Sequence, residues 1–90
     1  MATHIIKRHG HEEKFDPRKI YASVYAACRN AHLSEIQSEK IAEVVSMRLT
    51  SWMKSKTHVD SSDVFAEVIN ILRELHPDVA FMYETHRDLS

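Results

Sequence analysis

The chain has very little of several residue types that usually signal a function. There is one cysteine, Cys28, among its 90 residues, so an internal disulfide framework and a CxxC zinc ribbon are both excluded. There is one glycine, Gly10, and therefore no GxxxxGK loop whose backbone amides could cradle phosphates. No apolar run reaches the ~18 residues of a membrane span, and the start lacks the apolar core of a signal peptide. Excess charge is missing too. Twelve lysines and arginines stand against thirteen acidic residues, for a formal net charge of -1, which disfavours a general nucleic-acid binder. A reducing cytoplasm is the default location.

The hydrophobic fraction of 43 % is that of a globular protein rather than a disordered one. Ninety residues suit one domain over residues 1–90, and a chain this short buries only ~60 % of its unfolded surface. There is no internal repeat, low-complexity tract or flexible linker.

The spacing of apolar residues predicts the order β-β-α-α-β-α-α. Residues 3–8 (THIIKR) and 11–15 (HEEKF) can pair as a hairpin, with His9-Gly10 at a turn that needs positive φ. Asp16-Pro17 supplies an N-cap and a proline at the first helical position. A helix then runs from about Pro17 to Asn30, with Ile20, Val24, Ala27, Cys28 and Ala31 as its stripe. Ser34 and Gln37 form a capping box for a second helix, whose stripe is Ile41, Val44, Val45, Leu49, Trp52 and Met53. Residues 56–59 (KTHV) suggest a short third strand. Asp60, Ser61 and Ser62 offer caps for a third helix bearing Val64, Phe65, Val68, Ile69, Leu72 and Leu75. His76-Pro77 breaks the chain before a fourth helix with Val79, Ala80, Met82 and Tyr83. The expected fold is α+β: a small hairpin and a short third strand packed on a four-helix bundle.

Catalytic chemistry is not legible in this pattern. Seven histidines invite a metal site, but no HxxxH or HExxH pair falls on a predicted helix, and scattered surface histidines explain them better. No nucleophile elbow or paired-acid spacing stands out. Cys28 lies in an apolar stripe, where a small thiol is ordinarily core packing. Trp52 and Met53 fit either the rim of a core or a partner surface.

The one unusual concentration is at the start. Five of the twelve lysines and arginines, Lys7, Arg8, Lys14, Arg18 and Lys19, lie in the first twenty residues. Lys7 and Arg8 at a strand end and Lys19 in the first helical turn could converge on an anion, helped by the helix N-terminus. On spacing alone a solvated hairpin, with Glu12 and Glu13 as counter-charges, is the more economical account.

The stretch IIKRHGHEEKFDPRKI resembles the opening signature of the ATP-cone, the regulatory nucleotide-binding domain found in many ribonucleotide reductases and in their transcriptional repressor. Ile5, Lys7, Arg8, Gly10, Phe15, Asp16, Lys19 and Ile20 meet that signature, and the order of the later segments, ending in HPDVAFMYETHR, agrees with it. The resemblance implies ATP or dATP as ligand, with or without Mg²⁺. It implies that Lys7, Arg8 and Lys19 hold phosphates and that Glu13 and Asp16 read the adenine edge. Ile5, Ile6 and Ile20 would wall the pocket, and Ser61 or Ser62 would supply a hydroxyl near the ribose or phosphates. Arg87 is the candidate for a basic residue late in the last helix. Two positions depart from the family: His9 stands where the turn usually has Asp or Asn, and Phe65 stands at a position that is polar in several reductases and faces the sugar.

The resemblance therefore implies a non-hydrolytic sensor of adenine nucleotide. It would act by changing association with itself as a homo-oligomer, or with a protein partner such as a ribonucleotide reductase or a transcriptional regulator. The 90 residues contain neither a reductase barrel nor a zinc ribbon, so the expectation is either an excised domain or a protein that acts on something else. A protein-interaction module that keeps the fold but has lost the ligand is the rival reading, and direct DNA binding is the least favoured.

Overall fold

The computed structural model describes the backbone of residues 4–6 and 12–85, with side chains from Lys14 onward. Two three-residue segments, β1 (His4–Ile6) and β2 (Glu12–Lys14), pair antiparallel. Four helices follow: α1 (Pro17–Asn30), α2 (Glu35–Lys54), α3 (Ser61–Leu75) and α4 (Pro77–Thr85).

Three of the four helices begin where a side chain satisfies orphan N–H groups. Asp16 caps α1 and Pro17 occupies its first turn. Ser34 caps α2 in a reciprocal box with Gln37, and Asp60 caps α3 in a box with Asp63. The α3–α4 junction is a single residue. His76 precedes proline, which disfavours helical backbone, and it is extended with φ -165° and ψ 98°. Its N–H still donates to the Leu72 carbonyl at 2.7 Å, while its own carbonyl accepts from Val79 and Ala80 and so opens the next helix.

The α1–α2 connection is also tight, and it uses a conformation the sequence does not advertise. His32 sits at φ 67°, its N–H donating to the Arg29 carbonyl while Leu33 N–H donates to Cys28. This pair of bonds is the Schellman arrangement, in which glycine ordinarily takes the left-handed position. With Gly10 the only glycine, a histidine adopts it here.

The core lies among the helices. Val24 and Cys28 of α1, Ala42, Val45 and Leu49 of α2, Val68 and Leu72 of α3 and Val79 of α4 are all fully buried. Each of the valines and leucines among them contributes roughly 1.5–3 kcal/mol through burial. Arg48 and Glu74 bridge α2 and α3 at 2.6 Å on the surface, where such pairs add little.

The expected fold class is corrected by this arrangement. The described body is helical: its four helices supply the buried core, together with one connecting residue, Val59. No third strand forms at residues 56–59; only an isolated bridge occurs, at Asp60. The β-branched Val59 that suggested a strand is instead a plug, 2 % exposed, inserted into the helical core from the α2–α3 connection. Two positions assigned to apolar stripes also face outward: Val44 and Leu75 are each 39 % exposed. Ala42 and Ile71 fill the core instead.

Candidate functional site

The start of α1 is the best-defined polar cluster among the predicted site residues. Asp16 leaves β2 in extended backbone, φ -126° and ψ 106°, and turns its carboxylate onto the first helical turn. Oδ1 accepts from the Arg18 backbone N–H at 3.0 Å and from Arg18 Nε at 3.2 Å, and Oδ2 accepts from Arg18 Nη2 at 3.3 Å. The guanidinium and the backbone donor hold the Asp16 carboxyl below its ordinary range, with the Lys19 charge adding to them. The Arg18 pKa is raised in turn by the same hydrogen bond.

Arg18 is a residue that sequence reasoning missed. The signal was available, because a basic residue two positions after an N-cap aspartate can close on it. Asp16 thus has a local partner on each carboxylate oxygen, and Arg18 itself is highly exposed. Lys19, also exposed, donates its N–H to the Asp16 carbonyl at 3.1 Å. Ile20 is half-buried and packs on the core cluster, which fixes the rotation of the first turn.

The start of α3 is organised in the same way. Asp60 accepts from Asp63 N–H at 2.9 Å and from the Ser62 hydroxyl at 2.6 Å, while its own N–H donates to the Asp63 carboxylate at 3.2 Å. These donors, Ser62 first, lower the Asp60 pKa. The capping residue is therefore Asp60, with Ser61 and Ser62 in the first turn behind it.

Tyr83 of α4 contacts both of these helices, beyond their first turns. Its ring stacks on Phe65 with centroids 5.5 Å apart and planes inclined by 28°. Its hydroxyl accepts from Ser23 of α1 at 3.4 Å, and burial pushes its pKa up against the opposing effect of that serine. Lys19 precedes Ser23 by four residues and Ser61 precedes Phe65 by four, so each lies one turn earlier on the same helical face. Through Tyr83, α4 thus touches α1 at Ser23 and α3 at Phe65, one turn beyond Lys19 and Ser61 respectively.

In the hairpin, Ile5 is the direct backbone partner of Glu13, and Ile6 is that of Glu12. The ladder thus brings two predicted site positions opposite each other immediately before α1. The side chains of Ile5, Ile6 and Glu13, and the whole of Lys7, Arg8, His9, Gly10 and Arg87, lie outside the described residues.

Elsewhere the chemistry is quiet. Among the described residues no group of three His, Cys, Asp or Glu side chains could hold a metal, and no helix is long and apolar enough to cross a membrane. Cys28 is fully buried and its thiol is pushed up to about 11 by desolvation, the opposite of an activated nucleophile. Met53 is core, and half-buried Trp52 packs at the core edge with Lys56 Nζ 5.4 Å from its ring centroid.

No curated protein sequence matches the chain. The family model for the ATP cone domain matches residues 3–89, a span that takes in the hairpin, all four helices and the capped starts of α1 and α3. That match covers essentially the whole chain, and the chain belongs to the ATP-cone domain family.

Proposed function

We propose that the chain acts as one regulatory module over residues 1–90, binding ATP or dATP without hydrolysing it and signalling through a change in association with itself or with a partner. The observation that carries this reading is the family match over residues 3–89. ATP-cone domains are regulatory nucleotide-binding domains rather than catalytic ones, so membership supports the coarse role directly. ATP against dATP, Mg²⁺, a ribonucleotide reductase or regulator as partner, and a cytoplasmic setting are the finer parts of the proposal.

In this reading Lys7, Arg8 and Lys19 meet the phosphates, Ile5, Ile6 and Ile20 line the pocket, and Glu13 and Asp16 recognise the base. Ser61 or Ser62 approaches the sugar or phosphates, and Arg87 closes the site. The geometry at α1 supports the part given to Lys19. Asp16 is already neutralised by Arg18, which leaves its charge less able to repel a phosphate, and the helix start adds partial positive charge.

Phe65 favours a second reading, an interaction module that has lost the ligand. It occupies a family position expected to be polar, and its ring is stacked on Tyr83. Calorimetric titration with ATP and with dATP, each with and without Mg²⁺, separates the two. A saturable heat that Lys19→Ala weakens at least ~10-fold supports the sensor. No heat and no thermal shift at millimolar nucleotide overturns it in favour of the interaction module.

A further inference from the structure

The outer face of α2 carries two large apolar side chains that the core does not take up. Ile36 and Met47 are 66 % and 65 % exposed, although both are large apolar side chains. Lys40 and Glu43, both exposed, lie between them. The positions 36, 40, 43 and 47 follow a 4-3-4 spacing, which places them in one line along a helix, as in the seam of a coiled coil. The opposite face of α2, with Ser38, Ala42, Val45, Leu49 and Met53, is committed to the core.

The seam reads Ile-Lys-Glu-Met, and its charges lie symmetrically inside its apolar ends. We propose that this face binds a second copy of the chain, two α2 helices packing antiparallel about a twofold axis. The axis passes between residues 41 and 42. Ile36 then meets the Met47 of the other copy, and Lys40 meets its Glu43, each pairing occurring twice. A twofold interface must be self-complementary, and this order of residues satisfies that in both polarity and charge. A parallel arrangement in register would set Lys40 against Lys40 and Glu43 against Glu43, so the charges select the antiparallel one.

The four apolar side chains of such a pair supply only a few hundred Å², less than the ~1,200 Å² of a standard stable interface. Association through α2 is therefore weak by itself. A weak pair is one that ligand coupling of about 5- to 150-fold can convert between mostly apart and mostly together. This last step rests on the nucleotide-sensing reading; the α2 interface does not.

Sedimentation equilibrium of the whole chain from micromolar to millimolar concentration, with and without ATP, tests both. The weight-average mass is expected to rise from monomer towards dimer. Met47→Lys should weaken association at least ~10-fold, as should Lys40→Glu or Glu43→Lys alone, with circular dichroism confirming that each variant is folded. The double exchange Lys40→Glu with Glu43→Lys should restore it, because every cross-pair is again of opposite charge. A wild-type chain that stays monomeric throughout overturns the proposal, as does dimerisation indifferent to Met47→Lys or a double exchange that fails to rescue. Dimerisation that follows the charge pattern but ignores ATP, in a protein that also gives no calorimetric heat, upholds the α2 interface and overturns the sensor reading instead.

Discussion

Replacing Tyr83 with phenylalanine should leave stability nearly unchanged, while replacing Phe65 with alanine should lower it substantially, even though both changes strike one aromatic pair. The Ser23–Tyr83 hydrogen bond is 3.4 Å long, well beyond the usual ~2.7–2.8 Å of an O–H···O bond. Ser23 has one hydroxyl proton, and its oxygen also lies 3.0 Å from the Ile20 carbonyl, the closer acceptor. The Tyr83 oxygen therefore receives little, and burial already disfavours its ionised form. Removing a poorly satisfied polar group in favour of an apolar one of the same shape is close to neutral, so Tyr83→Phe should change stability by less than ~0.5 kcal/mol.

The stack is another matter. Phe65 is half-buried, so Phe65→Ala should cost ~2–3 kcal/mol, below the ~3–5 kcal/mol of a fully buried phenylalanine. Of this, ~0.5–1.5 kcal/mol belongs to the pairing with Tyr83. A double-mutant cycle of Phe65→Ala and Tyr83→Ala, read by urea unfolding at 222 nm, should return that coupling. For a domain of this size 1 kcal/mol corresponds to roughly 4–8 °C in Tm, so the contrast between the variants is well resolved. Tyr83→Phe costing more than ~1 kcal/mol would refute the minor role given to the hydroxyl, and a coupling within error of zero would refute the assignment of the aromatic stack as the link between α3 and α4.

Other perturbations follow from the same physical terms. His32→Gly should raise stability by ~1 kcal/mol in thermal unfolding, because glycine adopts the left-handed conformation without the cost a side chain carries, whereas His32→Val should lower it. Ser34→Ala should cost ~1 kcal/mol by removing the α2 cap, seen as a lower urea midpoint at unchanged slope. Asp16 and Asp60 have folded-state pKa values below the ordinary 3.8, so the stability they provide is present above that value and is lost as pH falls through their lowered values; acid titration of the unfolding midpoint should show a decline there that Asp60→Asn reduces. Cys28 is raised from 9.0 to about 11, so the unfolded chain releases its proton first and stability should fall between those values, with Cys28→Ala flattening that part of the alkaline limb.

The parts of the fold that were legible are those set by short-range chemistry. Asp16-Pro17, Ser34 with Gln37, and the Asp60 cluster announce helix starts because each side chain must meet N–H groups two or three residues away. The failures come from longer-range competition. Thr57 and Val59 suit a strand by propensity, but Val59 gains more as a plug between helices. Val44 is adjacent to Val45 and looks equally apolar, yet 41, 45, 49 and 52 define the inward face and leave 44 beyond its edge. His32 could not be read at all, since nothing but the closing geometry of α1 on α2 requires a left-handed residue there.

The candidate site divides along the same line. The spacing of Asp16 and Lys19 within one helical turn is local, and their placement at the α1 start follows from it. The role of Arg18 is equally local, because a basic residue two positions after an N-cap aspartate can close on its carboxylate. Tyr83 is the opposite case. Sixty residues separate it from Ser23, and no periodicity could indicate that α4 would bring it against both Ser23 of α1 and Phe65 of α3. That junction also gives Phe65 a physical reason to be aromatic, since a polar side chain there would lose the stack that fixes α4. The same residue therefore answers to two demands, α4 packing and any ligand beside α3. Phe65→Leu, which keeps apolar bulk and loses the ring stack, is the substitution that separates them: unchanged nucleotide affinity with reduced stability would place the demand in packing, and altered affinity at full stability would place it at the ligand.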